Sequence, residues 1–426
     1  MLTHSVARDL RSRGHEVLVV TGFPKHSQIE KSGGFDEYIY DDIRVVRFLH
    51  APAPCEQQCS IVELDYANHS ISAKFAQLLD RFQADFVYCF HMKRLSAAIL
   101  DECSRRHIPF SVIVTDYWYL CPVDSMVLEE GQLCPGPDAW SLNCLKHLTR
   151  LTQPKWLTKV ISHVPQWILI KGIQLGISIK RLTGRSNNVS ALAARQSFIK
   201  TRLNQADRIY FATKYMMERF IEHGIERHRV VHLPFGINQA GYTHRVRTHR
   251  GGEQKIVFGY VGQALPHKGL HVLIKAFLGI PRKMSCELRV YSGIGEKGSY
   301  AKECQEMAAS DIRIRFLGRF KNDDIAKIIN EIDVLIIPSV WSENLPLVLL
   351  TAQAVACPVI ASDIPGISEV ITNQKNGLLF RPGHDQELLQ HLLSIMEQPM
   401  LLGKLSSGAA SSVKTITQYV DALLES

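Results

Sequence analysis

Short runs of β-branched and aromatic residues alternate along this chain with stretches of helical periodicity, the pattern of parallel sheets flanked by helices. In the first half, strands are predicted at Glu16–Thr21, Ile43–Phe48, Phe86–Phe90, Phe110–Thr115 and Arg208–Thr213, with a short one at Val230–Leu233. In the second half they are predicted at Lys255–Gly259, Glu287–Tyr291, Arg313–Leu317, Val334–Pro338, Val359–Ser362 and Leu378–Phe380. Residues 236–254 (GINQAGYTHRVRTHRGGEQ) are rich in Gly and Arg, lack apolar periodicity and read as a linker. The fold class expected is α/β, with two doubly wound domains over 1–235 and 255–410 and a closing segment over 411–426.

The opening of the chain departs from that plan. A doubly wound domain ordinarily begins with a strand and a glycine-rich turn, because its first strand sits centrally in the sheet. Here Leu2 to Arg13 already reads as helix, Gly14 follows as its cap, and the first strand comes after it. The expectation is that one strand and its glycine loop are missing, either because the sequence is truncated at its start or because the domain has lost a central strand.

At roughly 150 residues per domain, 426 residues agree with two or three domains. A composition of 46% hydrophobic and 21% charged residues excludes a disordered, collagenous or coiled-coil protein. The net charge of +8 is concentrated rather than spread: Ala139 to Ala206 contains no Asp or Glu but eleven Lys and Arg. Within it, Val160–Leu182 is strongly apolar, yet His163, Pro165, Gln166, Lys171 and Gln174 interrupt it too often for a spanning helix. Apolar bulk with Trp156 and Trp167 among cations fits a helix lying in an anionic membrane interface, and equally a core helix with one solvated face. No nucleic-acid motif accompanies the charge. Peripheral contact through 146–185 and a location in the cytoplasm, at the inner face of the membrane, are the corresponding expectations.

Ten cysteines at irregular spacing fit a reducing compartment. One group, Cys121, Cys134, Cys144 and His147, offers three thiolates and an imidazole, a donor set that can hold a structural zinc ion and staple a Pro- and Gly-rich stretch. No other cofactor is expected. Cys55 and Cys59 have no nearby ligands and carry no reading.

Open parallel sheets bind ligands at the carboxyl ends of their strands, so the turns of the second half are where chemistry is expected. In FGYVGQALPHKGL, Gly262 and Gln263 end a strand and Lys268 opens a helix, an arrangement that can neutralise a diphosphate. In LRVYSGIGEKGSY, Gly293, Gly295 and Gly298 form a G-x-G-x-x-G, but the next strand ends in Gly318, Arg319 and Phe320 with no acid for a ribose, which weakens a dinucleotide reading. In PSVWSENLPLVLLT, Glu343 sits in the loop before a helix whose first amides, around Asn344, Leu345, Pro346, Leu347 and Val348, face the same cleft.

Taken in order, Gly262 with Lys268–Gly269, Gly293 and Gly295, Pro338–Ser339, Glu343, Pro346, Pro358–Val359, Gly366, Glu369 and Asn376–Gly377 resemble the retaining glycosyltransferases of family 4, of the GT-B fold. The resemblance covers the second half and, more loosely, RSRGHEVLVVTG, TDYWYLCP and PFGIN in the first. It implies two Rossmann-like domains facing a cleft, a nucleotide-diphosphate sugar held by the second, a glycan or lipid-linked acceptor by the first, and a last helix, Thr415–Leu424, crossing back. It further implies that Lys268 contacts the diphosphate, that Glu343 holds the transferred sugar with the amides that follow it, and that His91 and Asp116 are the family's His and Asp in the first domain.

Three departures accompany the missing loop. Eight residues past Glu343, where the family carries a second glutamate on the ribose, this chain has Thr351, which forfeits a charge-assisted hydrogen bond of about 1–3 kcal/mol. Gln263 replaces an arginine and Thr115 a histidine. The activity implied is metal-independent hexosyl transfer with retention, in surface polysaccharide assembly, and the absence of any D-x-D agrees with it. The alternative is a degenerate relative that binds without turnover.

Overall fold

The structure, a computed structural model, describes residues 2–23, 34–50, 60–126, 133–183, 187–248, 254–293, 299–409 and 413–425. Its second half holds six strands: β8 (Ile256–Val261), β9 (Cys286–Tyr291), β10 (Ile314–Phe316), β11 (Val334–Ile337), β12 (Val359–Ser362) and β13 (Gly377–Phe380). They pair in the order β10-β9-β8-β11-β12-β13, all parallel. This is the 3-2-1-4-5-6 order of a doubly wound sheet, which reverses between β8 and β11. Both faces are covered, which is why β11 and β12 are apolar and buried at nearly every position. Helices Leu270–Leu278, Ser299–Ala308 and Asp385–Glu397 close one face, and Ile325–Asn330 and Leu347–Ala354 the other.

The first half is divided. A four-stranded parallel sheet runs β4 (Val87–Cys89), β5 (Phe110–Val114), β6 (Arg208–Phe211) and β7 (Val230–His232). A separate three-stranded sheet has the order β1 (Leu18–Phe23), β3 (Ile43–Leu49), β2 (Phe35–Tyr40), with β2 antiparallel to β3. β2 escapes the hydrophobic pattern because FDEYIY is almost wholly exposed, so Asp36 and Glu37 interrupt its apolar run at no cost in burial. The remaining strands fall where the periodicity places them, with ends shifted by one or two residues.

The two halves meet through the chain ends. The last helix, Ile416–Leu424, is capped by Thr415 and Gln418 and packs Tyr419, Val420 and Leu423 against Leu2 and Val6 of the first helix, Leu2–Ser12. Arg13 binds Asp421 at 2.6 Å, and the Tyr88 hydroxyl donates to the Leu423 carbonyl, so this helix does return to the first half as expected. The expected linker is partly docked: Arg247 is fully buried, and its guanidinium donates to the backbone carbonyls of Arg245, Ile329, Ile332 and Val355.

The acid-free block is less cationic on the surface than its sequence suggests. Arg195 is buried against Trp118, Arg202 pairs with Asp101, and Lys180 with Glu63, because acids from other segments reach it in space. Helix Gln166–Thr183 buries Ile173 and Gly176, while Ile168, Leu175, Ile179 and Leu182 form an exposed stripe on another face. Trp156 and Val160 of helix Lys155–His163 are also exposed. Among the described residues no helix is long and apolar enough to cross a membrane.

Candidate functional site

The reversal between β8 and β11 brings two loops together at the carboxyl edge of the second sheet. After β8, the turn Pro266–Lys268 ends at Gly269, whose φ of 71° is a left-handed conformation. A Cβ there would lie 1.8 Å from the Pro338 carbonyl oxygen, so only glycine lets the two loops approach this closely. After β11, the loop 338–346 is braced in the same way by Gly366, where a Cβ would lie 1.8 Å from the Asn344 carbonyl oxygen. Backbone contact, not side-chain packing, sets the distance between the loops.

That approach places Lys268 on Glu343. The Lys268 ammonium donates to both carboxylate oxygens, at 2.7 and 3.0 Å. Ser339 Oγ and Trp341 Nε1 donate to the same Glu343 oxygen, at 2.7 and 2.9 Å, and Lys268 also lies over the Trp341 ring. Glu343 is only 7% exposed. A carboxylate so buried has its hydrogen bonds supplied by one cation and two neutral donors, and its orientation is fixed. Ser339 stands in the sequence motif, but nothing in the pattern marks Trp341 as a donor, since its contact depends on how the loop folds. His267 stacks near Trp341 with ring centroids 4.3 Å apart; burial, reinforced by the neighbouring Lys268, lowers its pKa below the usual 6.5.

Leu347 and Val348 begin the helix Leu347–Ala354, where backbone N–H groups have no carbonyl one turn ahead. Asn344 reaches across the cleft: its Nδ2 donates to the Val114 and Thr115 carbonyls at 3.0 and 3.1 Å, while its Oδ1 is buried without a partner. Leu345 is buried among residues of both halves. The preceding Ser342 Oγ lies 3.1 Å from the Tyr117 hydroxyl.

Tyr117 carries the site into the first half. His91 Nε2 lies 2.6 Å from Asp116 Oδ2, and the other oxygen of Asp116 accepts the Trp118 backbone N–H at 2.9 Å. His91 follows β4 and Asp116 follows β5, adjacent parallel strands, so both side chains leave the same sheet edge. The His91–Asp116 pair of the first half and the Lys268–Glu343 pair of the second are linked by the Tyr117–Ser342 contact, since Tyr117 follows Asp116 and Ser342 precedes Glu343 in the chain. Thr115 turns its hydroxyl to the Phe90 carbonyl at 3.2 Å.

The other expected residues are placed less uniformly. Gly262 follows β8, and the exposed Gln263 gives its carbonyl to the Tyr260 hydroxyl. Gly293 follows β9 beside Arg319, whose Nε would be 2.9 Å from a Cβ on it; this cation was read in the sequence only as a missing acid. Gly295 and Gly298 lie outside the described residues, as do Cys55 and Cys59. Thr351 is 1% exposed, and its hydroxyl donates to the Leu347 carbonyl at 3.0 Å, a helix-interior bond.

Cys121, Cys134, Cys144 and His147 are all buried, but among the described residues no three His, Cys, Asp or Glu side chains form a group that could hold a metal ion. Burial raises the thiol pKa of Cys134 and raises that of Cys144 to about 12.

Residues 245–411 match the family Glycosyl transferases group 1. The chain is 26% identical over 281 residues to the D-inositol 3-phosphate glycosyltransferase of Nocardia farcinica, covering 62% of this chain and 60% of that protein. It is 29% identical over 177 residues to spore coat protein SA of Bacillus subtilis, covering 39% of this chain and 47% of that one. The chain spans between a third and just under two thirds of the length of the curated relatives it matches. Among solved structures, Anabaena HepE in complex with UDP and glucose superposes with a TM-score of 0.62 at 16% identity, over 100% of this chain and 94% of that one. The sucrose-phosphate synthase of Thermosynechococcus elongatus superposes with a TM-score of 0.64 at 14% identity, over 99% and 91%. These likenesses, with the two Rossmann-like halves, identify the fold as GT-B.

Proposed function

We propose that this chain is a retaining glycosyltransferase that moves a hexosyl group from a nucleotide-diphosphate sugar to a glycan or lipid-linked acceptor, as in surface polysaccharide assembly, without a catalytic metal. The observation that carries the proposal is the Lys268–Glu343 pair at the reversal of the second sheet, linked to the His91–Asp116 pair through Tyr117 and Ser342. Retention is the outcome expected of family 4 chemistry.

Lys268 is the cation for the donor diphosphate, and the free amides of Leu347 and Val348 supply the dipole end that favours phosphate. As the sugar–phosphate bond breaks, charge grows on the leaving diphosphate, and these preorganised groups gain most at that moment. Glu343, released from Lys268 by the incoming phosphates, accepts hydrogen bonds from sugar hydroxyls while Ser339 and Trp341 keep it in place. The unpartnered Oδ1 of Asn344 is a second acceptor for those hydroxyls. His91, oriented by Asp116, faces the acceptor side.

The exposed stripe Ile168, Leu175, Ile179 and Leu182, with Trp156, Trp167 and the exposed cations Lys171 and Arg181, supports docking of the first half on an anionic membrane, where lipid-linked acceptors reside.

Thr351 favours the second reading, a relative that binds a sugar nucleotide with little turnover, since its hydroxyl is already committed. One experiment separates the two. A thermal-shift screen of nucleotide sugars, followed by product analysis with the stabilising donor, should give sugar transfer with the donor's anomeric configuration. Stabilisation without transfer or donor hydrolysis would establish the second reading, and no stabilisation by any nucleotide sugar would overturn both.

A further inference from the structure

Arg195 stands apart within the acid-free block. Of the described cations there it alone is buried, at 2% exposure on the helix Asn188–Leu203. It forms no ion pair among the described residues, and its Nε is enclosed without a partner. Its hydrogen bond runs from one terminal nitrogen to the Trp118 carbonyl, and the guanidinium lies 5.1 Å from the centroid of the Trp118 ring. A buried charge with no carboxylate beside it costs the fold stability, and an apolar side chain of similar length would fill the same space at lower cost. Local rules of this kind are broken where a site needs it.

What Arg195 holds is the segment from Asp116 to Trp118. Arg195 grips the carbonyl and the ring face of Trp118, and Asp65 accepts the indole N–H at 2.9 Å. Trp118 is fully buried, so neither its backbone nor its side chain can turn without moving the cation. Its own backbone N–H donates to one oxygen of Asp116 at 2.9 Å, and the other oxygen lies 2.6 Å from His91 Nε2. The order is Arg195, Trp118, Asp116, His91, with a hydrogen bond at each step.

The outer end of this series does not orient itself. The side chains of His91 and Asp116 are 39% and 27% exposed, and a pair so open to water does little to fix its own geometry. The buried end supplies what the outer end lacks. A guanidinium on a carbonyl makes a charge-assisted hydrogen bond, about twice as strong as a neutral one, and in the interior it is screened little. A neutral donor would satisfy the Trp118 carbonyl; a cation that also lies over the indole adds rigid placement of the Trp118 N–H.

We propose that Arg195 is a positioning residue: it locks Trp118, so that Asp116 holds the imidazole of His91 in one orientation at the end of β4. The inference rests on the glycosyltransferase reading only for what His91 then does. The locking itself is a property of the chain alone.

That separation sets the test, in which amide exchange is followed residue by residue in the full chain by NMR. In Arg195→Met the Trp118 amide should exchange at least roughly tenfold faster than in the unaltered protein, while the amides of Ile199 and Leu203 on the same helix keep their protection. Arg195→Lys, which keeps the cation, should return the Trp118 amide to within about threefold of the unaltered protein. With a donor found in the nucleotide-sugar screen, Arg195→Met should lower kcat by roughly tenfold at unchanged donor KM, and Arg195→Lys should recover most of it. Unchanged exchange at Trp118 overturns the proposal. So does a loss of protection spread evenly along the helix, which is what a merely structural arginine would give. If Arg195→Met fails to fold, Arg195→Gln, which keeps a neutral donor, is read in its place against the same criteria. An unaltered chain that transfers no sugar counts against the glycosyltransferase reading alone, and the exchange at Trp118 still decides the role of Arg195.

Discussion

Lys268 and Glu343 satisfy each other at the reversal of the second sheet, with the ammonium bridging both carboxylate oxygens at 2.7 and 3.0 Å. The residue proposed to bind phosphate and the one proposed to bind sugar are thus each other's counter-ions. A donor must exchange this pair for two new ones, which makes the pair a built-in competitor of the donor.

That competition predicts an asymmetry between two substitutions. Glu343→Gln frees Lys268 and should leave binding of a nucleoside diphosphate unchanged or tighter, while sugar transfer falls by roughly 10²-fold or more. Lys268→Ala should weaken the nucleoside diphosphate itself and, by leaving a buried carboxylate without its cation, reduce stability by about 2 kcal/mol. Calorimetric titration alongside a transfer assay reads both, and equal losses of diphosphate affinity in the two variants would contradict the assignment.

Gly366→Ala should damage the site more than the fold. With φ at 86° and a Cβ 1.8 Å from the Asn344 carbonyl, the loop carrying Glu343 has to move. The expected result is loss of detectable donor binding with a destabilisation of about 2–4 kcal/mol, measured by denaturant unfolding.

Arg247→Leu tests the docking of the 236–254 segment. The substitution strands the buried carbonyls of Ile329, Ile332 and Val355 without their donor. A loss on the order of 3 kcal/mol is expected in urea unfolding. A change below about 0.5 kcal/mol is what an undocked linker would give.

Acid should destabilise the site through His267. Its pKa is lowered in the folded state by burial and by Lys268, so the unfolded chain takes up the proton first as pH falls. The stability contributed by neutral His267 is therefore full above pH 6.5 and is lost as pH falls from 6.5 through the lowered folded value. His267→Gln should flatten that part of the stability profile in pH-resolved thermal melts.

Membrane docking is expected to depend on tryptophan and salt together. Trp156→Ala with Trp167→Ala should reduce binding to vesicles containing anionic lipid by roughly tenfold, and binding by the unaltered chain should weaken as salt rises. Equal binding to neutral vesicles would point to the apolar stripe alone.

Much of this protein is determined by sequence alone. The strands of the second half follow from apolar runs that are buried on both faces, and period-two or continuous hydrophobicity survives any change in surroundings. Lys268, Glu343, Asn344 and Pro346 could be named because short loops at strand ends fix which residues stand near a helix start.

Tertiary structure decided the rest, because it depends on groups that are distant in sequence. The 75 residues between Lys268 and Glu343 are closed by the strand order and by backbone contact at Gly269 and Gly366, neither of which has a local signal. The Thr351 hydroxyl is bonded to the Leu347 carbonyl, and Cys121, Cys134, Cys144 and His147 are all buried, neither of which the local sequence signals. The basic block lost part of its charge to Asp101 and Glu63. Periodicity reports which face of an element is buried; only packing reports what lies against it, and the pairing of charges and the close approach of two loops are both properties of what lies against it.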